Sequence, residues 1–437
     1  MAEFSTEEWR KIRRLFDSEA ERFGLPERRP ESVLLASFNI RKLGGVCDSK
    51  GKPARSREAW RFLADICARF DLVGIQELMN DLDGIRFLKD LAGADDYGLA
   101  VSDVTGGVPG ARGMMERLGF LFRWKTVRRT EMASDISYDR TAVEGNLLRN
   151  AKDFAKIFTD RVKDEAALDA QFKADMEEWE AANRAGRRPR RGKSKAFPMP
   201  HFLSFVRTPY CASFEIPGLG GSKPYRFLAV NAHLLFGEGT KKQQTIERAN
   251  EFYALVTWLM WRMSNKEAYY RDMILFGDLN LDFEEVDERR LKIEAYIKER
   301  DTALKGRSGS VYFPFIDAHP GKKDNAPADA ELCDLVFRTN ARADQTYDHI
   351  AFFGHDERMP THAHTAFAHQ TPDGFDYGVF NFADLFAEAL FGDIVENLKA
   401  SDRKKLYAKF EHDVSDHMPI WVRLPRPYPG QTGPLID

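Results

Sequence analysis

The stretch DMILFGDLNL, residues 272–281, joins a short apolar run to two polar side chains. Residues 273–276 are apolar without alternation, which is typical of a strand that is buried on both faces. Asp278 and Asn280 come directly after this run. The stretch therefore predicts a core strand that ends in a carboxylate and an amide.

Six further apolar runs, each bounded by turn residues, are also predicted to be strands. They are SVLLASFNI (32–40), DLVGIQEL (71–78), LGFLFRW (118–124), YRFLAVNAHL (225–234), YDHIAFFG (347–354) and MPIWVRL (418–424). Helical stripes separate some of these runs, one from Trp60 to Cys67 and another from Phe252 to Met263. This alternation of strands with helices predicts an α/β protein.

Polar residues recur at the ends of these runs or just beyond them. The set is Asn39, Arg41, Gln76, Glu77, Asn231, His233, Asp278, Asn280, Asp348 and His349, with Asp416 and His417 directly before the last run. One acid at a strand end is usually a cap or a turn residue, but adjacent strand ends would bring the whole set to one rim of a sheet. Carboxylate and amide oxygens suit Mg²⁺ or Ca²⁺, and imidazoles beside carboxylates exchange protons near neutral pH. The set therefore predicts metal-assisted cleavage of a phosphoester.

Length and composition limit the alternatives. The chain has 437 residues, of which 43% are hydrophobic and 30% charged, and its net charge is −3. This composition is that of a globular protein and gives no bulk signal for nucleic acid or membranes. The four cysteines are scattered without a zinc spacing, which favours buried thiols in a reducing compartment. Because neither a signal peptide nor a run of about 18 apolar residues is evident, we expect a cytoplasmic protein without a membrane partner.

Eight motifs along the chain resemble those of a known superfamily. They are FNIRKLGG (38–45), DLVGIQEL (71–78), MERLGFLFR (115–123), VRTPY (206–210), NAHL (231–234), GDLNLD (277–282), YDHI (347–350) and SDHMP (415–419). In their order and approximate spacing, the chain resembles the endonuclease/exonuclease/phosphatase superfamily and, within it, deoxyribonuclease I. One such motif alone is weak, whereas eight in register are specific.

The resemblance implies a fold class and a domain organisation. The fold class is α/β, a four-layer α/β/β/α sandwich in which two β-sheets pack face to face with helices outside. The catalytic domain would span residues 31–425, with insertions at about 140–200 and 356–411. The remaining segments would be an N-terminal amphipathic helix (1–30) and a tail (426–437).

The resemblance also implies the residues that bind metal and phosphate. The cofactor would be Mg²⁺, with Mn²⁺ or Ca²⁺ as alternatives. Glu77 would be the principal ligand, and Asn39 and Asp416 would lie close to the metal or the phosphate. Asp278 and Asn280 would position the scissile phosphate and the attacking water.

Two His–carboxylate pairs would flank the phosphate, His233 with Glu116 and His417 with Asp348. A carboxylate that binds one imidazole nitrogen fixes the tautomer and raises the basicity of the ring. Which imidazole acts as base and which as acid stays open. Arg207 would neutralise a phosphate oxygen, or it would be an ordinary salt-bridge partner.

Contacts with nucleic acid are predicted at Arg41 and in the basic run RAGRRPRRGKSK (184–195). The arginines concerned in that run are Arg187, Arg188, Arg190 and Arg191, which would bind phosphates without reading sequence. The alternative is a solvated loop that has no fixed order. Met79 and Met114 stand where deoxyribonuclease I has an arginine and a tyrosine that enter the minor groove, so those groove contacts are missing here.

We therefore expect a magnesium-dependent nuclease that hydrolyses DNA phosphodiester bonds with low sequence specificity. The first alternative is a phosphatase or phospholipid phosphodiesterase of the same superfamily. The second is a catalytically silent binding module, against which the full set of histidines and carboxylates argues. The segment FNFADLFAEALFGDI (380–394) in the second insertion is either a substrate lid or a partner surface.

Overall fold

The computed structural model describes residues 3–105, 115–136, 138, 140–182, 186–192, 201–235, 242–281, 295–296, 299, 310–317, 338–356, 358 and 377–429. Met114 lies outside these ranges. The strands are β1 (Ser32–Leu43), β2 (Leu72–Leu78), β3 (Tyr97–Val101), β4 (Arg117–Arg123), β5 (Arg128–Asp135), β6 (Tyr210–Ile216), β7 (Tyr225–His233), β8 (Met273–Asp278), β9 (Ser310–Tyr312), β10 (Asp348–Gly354), β11 (Tyr377–Val379) and β12 (Ile420–Pro425). The helices are α1 (Thr6–Glu19), α2 (Arg57–Cys67), α3 (Asp83–Gly93), α4 (Arg140–Arg149), α5 (Ala151–Ala181), α6 (Lys242–Ser264), α7 (Pro314–Asp317), α8 (Phe382–Phe391) and α9 (Ala400–Asp413).

The described strands form two six-stranded sheets. The strand order is β11-β12-β1-β2-β4-β3 in the first sheet and β5-β6-β7-β8-β10-β9 in the second. The pairs β1–β2 and β7–β8 are parallel, while the remaining pairs are antiparallel. Each sheet thus has one parallel pair at its centre.

The two sheets pack face to face through aromatic side chains. Phe120 of β4 contacts Phe276 of β8, with 6.0 Å between ring centroids. A Cβ atom on Gly74 of β2 would lie 2.9 Å from the Cβ of Phe276, so the close approach of the sheets requires glycine at this position. Gln76 donates to Asn231 across the same interface at 2.7 Å. These two polar residues therefore join the sheets.

Helices cover the outer faces of both sheets. On the first sheet, Trp9 of α1 and Phe62 of α2 contact Phe386 of α8, with ring centroids 5.5 and 5.0 Å apart. On the second sheet, Phe252 of α6 belongs to the same apolar cluster as Leu275 of β8. The expected α/β class and its four-layer sandwich are therefore confirmed.

The helix α1 begins at a capping box. The Ser5 hydroxyl accepts from the Glu8 amide at 3.2 Å, and the Ser5 amide donates to the Glu8 carboxylate at 2.7 Å. Its apolar residues Trp9, Ile12 and Phe16 are buried. None of the helices in the described ranges has the length and apolarity that a membrane crossing requires.

The two insertions pack in different ways. In the first, α5 is 31 residues long, and of its described residues Phe154 is buried. In the second, β11 adds an edge strand beside β12, and α8 buries Phe382, Leu385 and Phe386. The segment 380–394 therefore contributes α8 to the outer helical layer, and its role as a lid or as a partner surface stays a prediction.

Candidate active site

Strand ends from both sheets meet at one rim. In the second sheet, the register pairs Asp278 of β8 with His233 of β7 and with Asp348 of β10. From the first sheet, Asn39 of β1 donates to Asp278 at 3.0 Å. Because neighbouring strands are aligned in this way, residues that are far apart in sequence come within hydrogen-bond distance.

The carboxylate of Asp278 lies between two imidazoles. Its Oδ2 is 3.6 Å from Nε2 of His233 and 3.5 Å from Nε2 of His417. Its Oδ1 accepts from the backbone amide of Asn280 at 2.9 Å. Since Asp278 is 1% exposed, its charge acts on both rings with little screening by water.

The first imidazole belongs to a buried triad. His233 Nδ1 is 2.8 Å from Glu116 Oε1, and Arg207 forms an ion pair with the same oxygen. Arg207 also donates to the Leu234 carbonyl at 3.0 Å. Burial alone would raise the pKa of Glu116, but the charges of His233 and Arg207 hold that pKa below its ordinary value. The pKa of His233 is raised, because Glu116 and Asp278 outweigh burial and Arg207.

The second imidazole is held by the carboxylate on the other side. His417 Nδ1 is 2.8 Å from Asp348 Oδ2, and the Thr339 hydroxyl donates to that same oxygen at 2.7 Å. Burial would lower the pKa of His417, but Asp348 and Asp278 raise it well above its ordinary value. Burial raises the pKa of Asp348 against the opposing effect of His417. Both predicted His–carboxylate pairs are thus in contact.

Two site residues have left-handed backbone conformations. The φ angle is 60° at Glu77 and 51° at Asn280, a region that residues other than glycine rarely adopt and that clusters at functional sites. The register of β1 and β2 shifts beside Glu77, and its carboxylate accepts from the Lys42 amide at 3.0 Å and the Asn39 side chain at 3.3 Å. Asn280 donates to the Leu234 carbonyl at 2.9 Å. At both positions the side chain is therefore held by hydrogen bonds to neighbouring segments of the site.

The donor set fits a hard divalent cation. Oδ1 of Asn39 and Oδ1 of Asp416 are buried and accept no hydrogen bond from the described residues. Together with Glu77, they supply carboxylate and amide oxygens, the donors that Mg²⁺ prefers. Ligand atoms of Asp278, Asp348 and His417 also lie within 4.8 Å of one another. We favour the oxygen-rich set, because Asp348 Oδ2 is already bound to His417 Nδ1.

Arg41 lies beside Asp416 and is held by carboxylates. Its Nη1 is 2.9 Å from Glu411 and its Nε is 3.7 Å from Asp416. Glu411 also contacts Arg342 at 3.4 Å. A cleft of about 270 Å³ beside His417 is lined by Arg342, Glu411 and Asp416, among others.

Two residues that connect the site were missed from the sequence. The Ser415 hydroxyl donates to the Asn39 carbonyl at 2.7 Å and accepts from the amides of Arg41 and His417 at 3.2 Å each. Thr339 orients Asp348, as described above. Ser415 could have been found from its place in the SDH motif, whereas Thr339 stands in no motif.

The arginines of the basic run lie on the insertion. Arg187, Arg188 and Arg190 are exposed. Arg191 forms ion pairs with Glu165 and Asp169 of α5. Among the described contacts, none joins these four arginines to the rim residues.

No protein-family model and no curated protein matches the chain. Among solved structures, it is similar to an endonuclease/exonuclease/phosphatase family protein from Bacteroides thetaiotaomicron, at 14% identity over 91% of this chain and 95% of that one, with a TM-score of 0.39. It is similar to a mannosyl-6-phosphatase from the same organism, at 13% identity over 90% and 98%, with a TM-score of 0.39. It is also similar to TDP2 from D. rerio in complex with a single-stranded DNA product, at 12% identity over 90% and 98%, with a TM-score of 0.39.

Proposed function

We propose that this protein is a metal-dependent phosphoesterase of the endonuclease/exonuclease/phosphatase type, and that it hydrolyses DNA phosphodiester bonds with low sequence specificity. One observation carries the proposal. Asp278 Oδ2 lies 3.6 and 3.5 Å from the Nε2 atoms of two imidazoles, and each of these rings is bound through Nδ1 by a buried carboxylate at 2.8 Å.

This arrangement suits proton transfer on both sides of a phosphate. A ring whose Nδ1 is fixed by a carboxylate presents Nε2 in a defined tautomer. One of the two rings, His233 or His417, takes a proton from the attacking water, and the other gives a proton to the leaving oxygen. Asp278 and Asn280 position the water and the phosphate between them.

Two groups place positive charge next to the phosphate oxygens. Arg207 is oriented by Glu116, with which it forms a buried ion pair, and it stabilises negative charge that develops in the transition state. Glu77, Asn39 and Asp416 would hold Mg²⁺, or alternatively Mn²⁺ or Ca²⁺, which when bound polarises the phosphoryl group as a Lewis acid.

The exposed arginines of the first insertion support a polyanionic substrate. Arg187, Arg188 and Arg190 are exposed, and lysine and arginine contacts with phosphates give affinity without sequence readout. Replacing these three residues with glutamine should weaken DNA binding and flatten its dependence on salt. Arg191→Gln is the matched control, because that guanidinium is already paired. A triple variant with an unchanged salt slope would remove this part of the proposal.

A phosphatase or phospholipid phosphodiesterase is the second candidate. The cleft of about 270 Å³ beside His417 has room for a compact substituent on the phosphate, and Arg41 is already bound to Glu411 in the wall of this cleft. The same rim chemistry serves a phosphomonoester as well as a phosphodiester.

Supercoiled plasmid, incubated with the pure protein with and without Mg²⁺, separates the candidates. We expect nicked and then linear DNA with Mg²⁺, and no product with a chelator or with His417→Ala. Parallel reactions contain an inositol phosphate or sphingomyelin. Turnover of either one without any nicking would replace the nuclease with the second candidate.

A further inference from the structure

The inward face of α6 carries a buried carboxylate that the proposed reaction does not use. Glu251 is 4% exposed. Its Oε1 accepts from the backbone amide of Val206 at 2.7 Å, and its Oε2 accepts from the backbone amide of Leu235 at 2.8 Å. One side chain thus binds two chain segments that are about thirty residues apart.

Each of these segments carries a residue of the candidate site. Val206 directly precedes Arg207, and Leu235 lies two residues after His233. Arg207 closes the connection by donating to the Leu234 carbonyl at 3.0 Å. The two segments meet again at Glu116, which contacts both Arg207 and His233.

We propose that Glu251 is a positioning residue that fixes the segment of Arg207 relative to that of His233. The catalytic consequence rests on the proposed function, whereas the structural consequence does not. A carboxylate is needed because both oxygens act as acceptors. Glutamine would replace one of the two acceptor oxygens with an NH₂ group, which only donates. One of the two backbone amides would then lose its hydrogen bond.

The charge on Glu251 is costly, which argues that the contact does more than fill space. Burial raises the pKa of Glu251 to about 7, although the two amides and Arg207 lower it; Glu247, on the same face of α6, raises it further. A nonpolar side chain of similar size would avoid this desolvation. It would also leave the amides of Val206 and Leu235 without their acceptor.

The test compares Glu251→Gln with Asp384→Asn. Asp384 on α8 is a matched control, because its two oxygens also accept separately, from the Val395 amide at 2.9 Å and from Asn381 at 2.7 Å. Amide hydrogen exchange is measured for both variants, together with kcat, KM and melting temperature.

For Glu251→Gln at pH 8, where the carboxylate is ionised, we expect exchange at Val206 or Leu235 to rise by about tenfold or more, since a hydrogen bond to a charged group is lost. We also expect kcat to fall by on the order of tenfold with KM within about twofold, as for misplaced catalytic groups. For Asp384→Asn, we expect a similar change in melting temperature, faster exchange near Val395, and unchanged kcat.

A double-mutant cycle with Arg207→Lys separates positioning from general destabilisation. If Glu251 acts through Arg207, Glu251→Gln costs less kcat in the Arg207→Lys background, whereas Asp384→Asn costs the same in both. Unchanged exchange at Val206 and Leu235 overturns the inference, and so does faster exchange with wild-type kcat. A wild-type protein that hydrolyses no phosphoester refutes the proposed function instead, and exchange then decides alone whether Glu251 fixes the segments.

Discussion

Asp348→Asn is the substitution that tests the His417 pair most directly, because the surroundings determine how asparagine must lie. The Thr339 hydroxyl accepts from the amides of Tyr347 and Asp348 at 3.0 and 3.1 Å, so its proton points to Asp348 Oδ2. That position needs an acceptor, and asparagine would therefore place its carbonyl oxygen there. The contact with His417 Nδ1 is kept, and the negative charge is lost.

The expected loss follows from this difference alone. A hydrogen bond to a charged group is worth about 1.5–3 kcal/mol and a neutral one about 0.5–1.5 kcal/mol. The difference of about 1–2 kcal/mol corresponds to a fall in kcat of roughly 5- to 30-fold. His417→Ala removes the proton-transfer group and should cost on the order of 10²- to 10⁴-fold. Because burial already raises the pKa of Asp348, a neutral side chain there should keep the protein folded.

The assay measures kcat against pH on the substrate found with the plasmid test. Since the charge of Asp348 raises the pKa of His417, its removal lowers that pKa. The limb of the profile that reports His417 should therefore move to lower pH, whether the ring acts as acid or as base. His412→Ala is the control. His412 Nδ1 is also 2.8 Å from a buried carboxylate, that of Asp413, but we assign this pair no part in the reaction, and the variant should keep its activity. A kcat of Asp348→Asn that is within twofold of wild type, or as low as that of His417→Ala, would refute this reasoning.

Three further predictions concern Glu77 as a metal ligand, the ion pairs of Glu411 and the titration of Glu251. Loss of an outer-shell partner of a metal typically costs roughly 10- to 100-fold in metal affinity. Glu77→Gln should therefore raise the Mg²⁺ concentration for half-maximal activity by at least that factor, and an unchanged Mg²⁺ requirement would exclude Glu77 as a ligand. Glu411→Gln removes one carboxylate partner from Arg41 and from Arg342. A duplex oligonucleotide should therefore bind more tightly, with a log–log salt slope steeper by roughly 0.9 for each guanidinium that reaches a phosphate; an equal slope speaks against it. The pKa of Glu251 rises from 4.5 to about 7 on folding, so its contribution to stability is complete below pH 4.5 and is lost as the pH rises through 7. The free energy of unfolding of wild type relative to Glu251→Gln should therefore fall by about 3 kcal/mol between pH 4 and 8, and a constant difference in urea unfolding would contradict the raised pKa.

The rim could be predicted from the sequence because strand ends obey simple geometry. Asp278 and Asp348 follow or begin apolar runs, and a sheet aligns such runs, so their closeness required only that β8 and β10 be neighbours. Asn39 approaches Asp278 from the other sheet. Predicting that contact required knowing how the two sheets pack against each other. The motif order supplied that information.

The connecting residues could not be predicted in the same way, because their partners come from distant segments. Glu411 binds Arg41 from an insertion some 370 residues further along the chain, and no local pattern marks that pair. The phenylalanine-rich helix α8 was equally ambiguous, since an apolar helix can cover a substrate, a partner or the protein's own core. Phe386 on its inward face contacts Trp9 of α1, a partner that no local pattern marks.

The charges at the rim give an argument for a cation that does not depend on resemblance. Five carboxylates gather there, and three guanidinium groups act on them: the carboxylates are Glu77, Glu116, Asp278, Asp348 and Asp416, and the guanidinium groups are Arg41, Arg55 and Arg207. With one imidazole neutral as base and the other protonated as acid, negative charge is in excess, so an anionic phosphate would be repelled from the very atoms that must act on it. A divalent cation on the unpaired oxygens of Asn39 and Asp416 would reverse that balance. Phosphate binding should therefore depend on the cation even in His417→Ala, where no turnover follows, and binding that is equally tight with a chelator would mean that the arginines suffice.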